Sequence, residues 1–281
     1  MTNIRIQVEV TTRCNHNCLY CPRHIIPETR TWGDITPEMS DLLISRISEI
    51  DDEYNPLFSI SGFGETTLYP KLMDFIHEIK SVRKSRIRLN TNASSLHKIG
   101  HEIISSQLID LMGLSLNLPT EELHKKYTRT NDFAIVSRNI IDFLEEKGNR
   151  KPASEVRLIK IPESMPYLEE STEYWKQHLN KNDRVSLSKL LNWGGLVGEH
   201  LQKPRNNSCR YQRDLAGKHL SINKEGYASV CCFGIAVNHT HPFIIGNIKE
   251  HSINDLLMMA KKRAPELIGS SVCENCNNDM T

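Results

Sequence analysis

No apolar run in this chain approaches the ~20 residues that a membrane-crossing helix needs. Met1 to Arg5 shows no signal-peptide pattern before the first strand-like run begins. The sequence therefore reads as a cytoplasmic protein without a membrane partner. An excess of one charge is also missing: 35 basic residues stand against 34 acidic ones, a formal net charge of +1. That balance gives no electrostatic pull toward nucleic acid or an anionic membrane. There is no internal repeat or low-complexity tract, so the chain is not a repeat array. A disulfide pattern is absent too, although there are eight cysteines. They cluster at 14/18/21, 209/231/232 and 273/276, which is the spacing of ligands and not of loop staples. The 281 residues give room for one large α/β domain, or for one domain with a smaller appendage.

What is present begins with Thr11-Thr12-Arg13-Cys14-Asn15-His16-Asn17-Cys18-Leu19-Tyr20-Cys21, a C-x₃-C-x₂-C spacing directly after a strand-like run. A [4Fe–4S] cluster takes one Cys thiolate per iron. Three thiolates therefore hold three corners and leave one iron for a borrowed ligand or an outside molecule. Zinc competes, but structural zinc sites usually answer one C-x₂₋₄-C pair with another. His16 would then have to act as fourth ligand from inside the loop, whereas it and Arg13 read as solvated or loop-structuring residues.

Alternation over Ile4–Val10 predicts a first strand that delivers the Cys loop at its C-terminal end, where α/β sites sit. Thr36 and Pro37 open a predicted helix with Met39, Leu43, Ile47 and Ile50 at helical spacing. Further strands are predicted at 57–61, 86–92, 111–117, 155–161 and 185–190, and helices at 70–80, 96–106, 133–147 and 167–178. Strands alternating with helices argue a parallel sheet with right-handed crossovers. Six such units fall short of the eight of a closed barrel, leaving an α/β partial barrel or a doubly wound sheet. Past residue 195 the rhythm changes. Leu220–Ile222 and Ala228–Cys232 flank Asn223-Lys224-Glu225-Gly226 as a predicted β-hairpin, followed by a helix at 252–262 and a Cys-bearing tail. The expected domains are 1–195 and 196–281.

Together, the Cys triplet after strand one, Gly62-Phe63-Gly64-Glu65 after strand two and the amide-rich strand ends resemble the radical S-adenosylmethionine (SAM) superfamily over residues 4–190. The resemblance implies a partial (β/α)6 barrel and a [4Fe–4S] cluster on Cys14, Cys18 and Cys21. It further implies that SAM chelates the open iron and is cleaved reductively to a 5′-deoxyadenosyl radical, with the protein positioning the cofactor. A flavodoxin- or ferredoxin-type reductant follows. Gly62 and Gly64 would admit a ligand close to the backbone, and Glu65 would accept from its ammonium. Phe63 stands where a second glycine is commoner, and Thr66 where proline is. Tyr20 matches the aromatic that packs near adenine. Asn90, Asn92, Ser115 and Asn117 lie at strand ends where the family contacts ribose and carboxylate. Taken singly, the two glycines are an ordinary strand-to-helix turn; their order along the chain is what lends them meaning.

Cys209, Gly226-x₄-Cys231 and Cys273-x₂-Cys276 resemble the shortened SPASM region called a twitch domain, a β-hairpin plus helix holding an auxiliary [4Fe–4S] cluster. Four Cys fill four irons, and a second auxiliary cluster would need further Cys after Cys276, so one is expected. A zinc ribbon is the alternative for the tail, although Cys209 and Cys231 are not a matching C-x₂-C pair. Cys232 is left over. Strand alternation would point it away from Cys231, either as a hydrogen-atom donor, which a resemblance to radical epimerases implies, or as a small buried residue. Trp193 either walls a pocket or packs between domains. Arg157 or Lys160 either points into the barrel toward a carboxylate or lies on a solvated edge. His239 and His241 read as a surface loop.

The expected reaction is hydrogen abstraction followed by oxidation, as in inosamine dehydrogenases of the butirosin type, or by epimerisation. The substrate would be an aminocyclitol or sugar-like small molecule, or a peptide. Only 13 residues precede the Cys loop, so a peptide would need a partner protein or direct capture in the cleft. The alternatives are a peptide-maturing epimerase or crosslinking enzyme, a zinc-stabilised binding protein, and an electron-transfer module that does not use SAM.

Overall fold

The computed structural model describes residues 1–25, 30–197, 209, 216–236, 239–267 and 270–277. The first part runs β1 (Thr2–Val8), α1 (Pro37–Ser48), β2 (Tyr54–Ile60), α2 (Leu72–Val82), β3 (Arg86–Thr91) and α3 (Leu96–Ser106). It continues through β4 (Leu111–Asn117), α4 (Glu121–Thr128), α5 (Phe133–Lys147), β5 (Ala153–Lys160), α6 (Leu168–Lys176) and β6 (Arg184–Lys189). β7 (His219–Ile222), β8 (Tyr227–Ser229), β9 (Ile244–Asn247), α7 (Ile253–Glu266) and α8 (Ser271–Asn275) follow. No helix among the described residues is long and apolar enough to cross a membrane.

One sheet orders the strands β6-β5-β4-β3-β2-β1-β7-β8-β9. β1 to β6 pair in parallel with their sequence neighbours, giving the partial (β/α)6 barrel. β7 also pairs in parallel with β1, from Arg5↔His219 to Val8↔Ile222, so strands on both sides of the expected boundary after residue 195 share one sheet. β8 and β9 then add antiparallel.

The alternation that predicted the strands divides the sheet into two faces. Ile6, Val8, Phe58, Ile60, Ile87, Leu89, Val156 and Leu158 pack in one core with Leu43 and Ile47 of α1, Phe75 and Ile79 of α2, and Ile140 and Leu144 of α5. Each such fully buried side chain contributes roughly 1.5–3 kcal/mol. The other face is polar: Gln7, Ser59, Arg88, Asn90, Glu155 and Arg157 line the barrel interior. Local signals set the helix starts. Thr36 Oγ1 accepts from Met39 N at 3.2 Å with Pro37 in the first turn.

Three elements, α4, β9 and the five-residue α8, differ from expectation by being present. α4 is short and polar, so its apolar periodicity is weak, although Thr120 caps it and Glu121 and Glu122 fill its first turn. β9 is four residues with Gly246 inside, too short for alternation to register.

His219 on β7 is buried, and burial, aided by Arg5, pushes its pKa down to about 3. Between pH 6.5 and 3 the unfolded chain therefore binds a proton that the native chain does not, and stability falls as pH falls. Urea unfolding is expected to lose up to about 1.4 kcal/mol per pH unit below 6.5, with a shallower slope in His219→Asn. An identical slope in that variant would remove His219 as the cause.

Candidate active site

β1 ends at Val8, and the Cys loop that follows is tied to the ends of several neighbouring elements. Thr12 N donates to Gly33 O at 2.9 Å, and Gly33 N returns a bond to Thr12 Oγ1 at 2.9 Å. Arg13 forks onto Asp34 (2.9 and 2.7 Å) and donates to Leu68 O at 2.8 Å. Asn15 donates to Ser94 Oγ at 2.7 Å and accepts from Asn92 Nδ2 at 2.9 Å. His16 is buried, with Nε2 2.8 Å from Asp132 Oδ2, while His124 Nε2 meets Asp132 Oδ1 at 2.9 Å. Burial would raise the Asp132 carboxyl, but bonds from Thr130, His124 and His16 outweigh it and hold it at about 2. The carboxylate is thus ionised and both imidazoles donate to it. Asn17 N and Leu19 N complete the anchorage on Thr128 O and Tyr127 O of α4. Of the two readings open for Arg13 and His16, loop structuring holds for both. The helix that sequence reasoning missed is part of the loop's support.

Cys14, Cys18 and Cys21 are half-buried. Burial, with a smaller push from neighbouring thiols, raises Cys18 to about 12 and Cys21 to about 11. Three such thiols are poor free thiolates but suitable ligands once a metal supplies positive charge. Their separation bears on which metal. Among the described residues, the one set of three donors lying within 4.8 Å of one another is His16, His124 and Asp132, and it contains no thiol. Tetrahedral zinc would draw its sulfurs to about 3.8 Å apart. The donor set fits the wider body of an iron–sulfur cluster.

The Gly62–Glu65 turn packs directly under this loop. A Cβ on Gly64 would come within 2.3 Å of Thr11 O and 2.7 Å of Arg13 O, and one on Gly62 within 2.3 Å of Glu9 Cγ. The glycines therefore admit the Cys-loop backbone and the Glu9 side chain, an approach the sequence could not distinguish from approach to a ligand. Phe63 N donates to Glu9 Oε1 at 3.1 Å. Its buried ring meets Trp193 edge-on at 5.4 Å and packs on Ile235 and Cys21, filling space that a glycine would leave empty. Trp193 packs on Phe63, one residue from the turn's first glycine. The buried Glu65 carboxylate accepts from Thr67 N (3.1 Å), Thr67 Oγ1 (2.7 Å), Thr91 Oγ1 (2.6 Å) and Asn92 N (2.6 Å). It binds the turn to the end of β3, and any incoming ammonium would share it with these donors.

Tyr20 and Asn117 come together, with Asn117 Nδ2 donating to the Tyr20 hydroxyl at 2.9 Å. That hydroxyl also bonds the Cys18 sulfur. Asn117 reaches it from a β4 terminus that follows a register shift and carries φ +66°, a backbone that Asn tolerates better than most residues. Ser115 is half-buried on β4, and Asn90 lies deeper in the barrel beside Gly113.

The hairpin turn forms as predicted, with Asn223 Oδ1 accepting from Glu225 N and Tyr227 N and Gly226 at φ +86°. β8 nevertheless ends at Ser229. Cys231 falls on a bend and Cys232 opens a 3₁₀ turn to Ala236, so strand alternation does not orient the two thiols. Burial pushes Cys231 well above the usual thiol range, and Cys232 and Cys209 add to the shift, which places Cys209 near this bend. Cys273 packs against the same core as Cys231. Its tail is fastened to the end of β6 by a residue that sequence reasoning passed over. The buried Asn192 donates through Nδ2 to Asn275 O at 2.6 Å and through its backbone N to Asn277 Oδ1 at 2.8 Å. Asn277 answers with N to Asn192 Oδ1 at 3.1 Å and Nδ2 to Leu190 O at 2.8 Å. A second omission is Arg30, whose buried guanidinium pairs with Glu9, donates to Ile235 O and reaches Glu225 at 3.1 Å. It joins β1, the segment after the Cys loop and the hairpin.

Residues 8–174, more than half of the chain, match the family model of the radical SAM superfamily. The chain belongs to the radical SAM superfamily. Residues 209–277 match the iron-sulfur cluster-binding domain SPASM, so this is a radical SAM enzyme with a SPASM region. That membership brings SAM and [4Fe–4S] clusters as cofactors, and cysteines lie in both matched stretches.

This radical SAM chain is 26% identical over 176 residues to the tungsten-containing aldehyde ferredoxin oxidoreductase cofactor-modifying protein of Pyrococcus furiosus, covering 60% of this chain and 47% of that protein. It is 27% identical over 135 residues to a probable GTP 3′,8-cyclase of Methanocaldococcus jannaschii, covering 48% and 43%. The matches thus span under half the length of these curated relatives. Among solved structures it is similar to BtrN in complex with AdoMet and 2-DOIA (TM-score 0.63, 18% identity, 99% of this chain and 94% of that one). It is also similar to anSMEcpe with bound AdoMet and Cp18Cys peptide (0.66, 15%, 96% and 83%). A third likeness is to Streptococcus suis SuiB bound to precursor peptide SuiA (0.65, 15%, 98% and 70%). At these identities the likeness is one of fold.

Proposed function

We propose that this enzyme takes a hydrogen atom from a small-molecule or peptide substrate and converts it by oxidation or epimerisation. Cys14, Cys18 and Cys21 hold the cluster that binds SAM; Cys209, Cys231, Cys273 and Cys276 hold one auxiliary [4Fe–4S] cluster. When bound, the first cluster and SAM supply a radical able to break an unactivated C–H bond. The observation that carries the reading is the convergence of three half-buried thiols, the Tyr20–Asn117 pair and the Gly62–Glu65 turn at the C-terminal strand ends.

The chain's own residues orient and enclose. Arg13, Asn15 and His16 fix the Cys loop from three sides, Tyr20 and Asn117 form the side of the SAM pocket nearest Cys18, and Phe63 with Trp193 closes it toward the 3₁₀ turn that Cys232 opens. Asn90, Asn92, Ser115 and Glu65 complete the pocket. Residues 1–195 and 196–281 form the two working halves, the reductant is of flavodoxin or ferredoxin type, and the enzyme is cytoplasmic. Both substrate classes have support in the relatives' titles, BtrN with 2-DOIA and SuiB with a precursor peptide.

Anaerobic turnover of candidate substrates followed by mass spectrometry tests the reading. A product lighter by two hydrogens means oxidation, and unchanged mass with an inverted centre means epimerisation. Consumption of SAM with no altered product from any aminocyclitol, sugar or peptide offered would contradict it. For epimerisation, Cys232 is the hydrogen donor. Cys232→Ala in deuterated water is then expected to lose the epimer while SAM cleavage continues; retained deuterium at an inverted carbon would clear Cys232 of that role.

A further inference from the structure

A charge cluster runs from the barrel interior out to the exposed Arg184 on edge strand β6, and the proposed hydrogen abstraction has no use for it. Val156 and Leu158 of β5 face the helices, so Glu155 and Arg157 face inward. Glu155 collects three guanidinium groups: Arg157 through Nε at 3.0 Å, Arg184 of β6 through Nε and Nη2 at 2.9 and 2.7 Å, and Arg88 of β3. Burial would raise the Glu155 carboxyl, but Arg157, Arg184 and Arg88 outweigh it and hold it at about 2. Three cations against one anion leave the cluster net positive, and a guanidinium does not relieve such crowding by losing its proton.

Arg157 is the member left open. It spends Nε on Glu155, and its Nη atoms make no hydrogen bond among the described residues. The fork lies across Gly113 of β4, which pairs with both Asn90 and Glu155. A Cβ there would fall within 2.6 Å of Arg157 Cζ and Nη2 and 2.5 Å of Asn90 Oδ1. The missing side chain at Gly113 is what gives the fork its place, two residues short of Ser115. A planar fork with both arms unused matches a carboxylate or phosphate edge.

We infer that Arg157, backed by Arg88 and Arg184, binds a compact oxyanion of the substrate, a carboxylate or a phosphate, inside the barrel. The assignment to substrate rests on the enzymatic reading above.

Inorganic phosphate and succinate, titrated calorimetrically at fixed ionic strength into cluster-loaded enzyme holding SAM, are the probes. Wild type is expected to bind at least one, and which one binds tells phosphate from carboxylate. Arg157→Gln should weaken that binding at least tenfold, Arg157→Lys by less, and the exposed Arg138→Gln not at all. Arg157→Gln leaves Glu155 paired with Arg88 and Arg184, so the fold has no new buried charge to accommodate. No binding by wild type, or an unchanged affinity in Arg157→Gln, overturns the inference. A tenfold loss of SAM affinity in Arg157→Gln also overturns it, by handing the fork to the cofactor's own carboxylate. Dithionite-dependent 5′-deoxyadenosine formation is read alongside. Its absence in wild type contradicts the enzymatic reading, whereas its presence beside failed anion binding contradicts the oxyanion site alone.

Discussion

Cys18→Ala is expected to abolish reductive cleavage of SAM and to halve the iron bound by the anaerobically reconstituted chain. The sulfur removed is close enough to Cys14 and Cys21 to feel both, and it receives the Tyr20 hydroxyl, which Asn117 holds in place. Losing a supporting hydrogen bond around a metal ligand costs ~10–100-fold, and losing the ligand itself should cost well beyond that. On the proposed assignment, iron retained by the variant is that held by Cys209, Cys231, Cys273 and Cys276. Cys273→Ala is expected to give the complementary result, with the cleavage-competent iron kept. Full iron content and undiminished cleavage in Cys18→Ala would contradict the assignment of the loop.

Arg30→Met should cost about 3–5 kcal/mol of stability, the penalty for leaving a buried ion without its partner. Glu9 lies beneath Gly62 with no exposed side-chain surface, and burial already pulls its pKa up against the opposing effect of Arg30. Without the guanidinium, Glu9 must remain charged and unpaired or take up a proton, and Glu225 loses its 3.1 Å contact. The double variant Glu9→Gln with Arg30→Met should recover much of the loss, since the two effects are coupled. Urea unfolding of the four proteins reads the cycle. A loss under about 1 kcal/mol in Arg30→Met, the range of exposed pairs, would show that the pair does not hold the hairpin to β1.

The six parallel strands and the helices between them were legible because strands such as Arg86–Thr91 alternate an apolar residue for the helices with a polar one for the barrel, and each long helix has a clear apolar face. α4 escaped because Leu123 is the one large apolar residue it buries; its capping Thr120 was a signal that went unused. The Cys triplet and the order of motifs were readable from local spacing. The contacts that give them shape were not. Glu9 with Arg30, His16 with Asp132 and Asn192 with Asn277 join residues 21, 116 and 85 positions apart, and nothing in local periodicity marks such pairs. Gly62 and Gly64 show the same boundary: their smallness was visible, while the object they make room for was not. Strand alternation could not orient Cys231 and Cys232, because the strand expected to reach Cys232 stops at Ser229.

The most direct test of the central claim is formation of 5′-deoxyadenosine from SAM by the anaerobically reconstituted chain with dithionite. The account predicts a brown protein with visible thiolate-to-iron absorbance that releases 5′-deoxyadenosine only when reduced. A colourless protein that takes up zinc stoichiometrically and leaves SAM intact would contradict it.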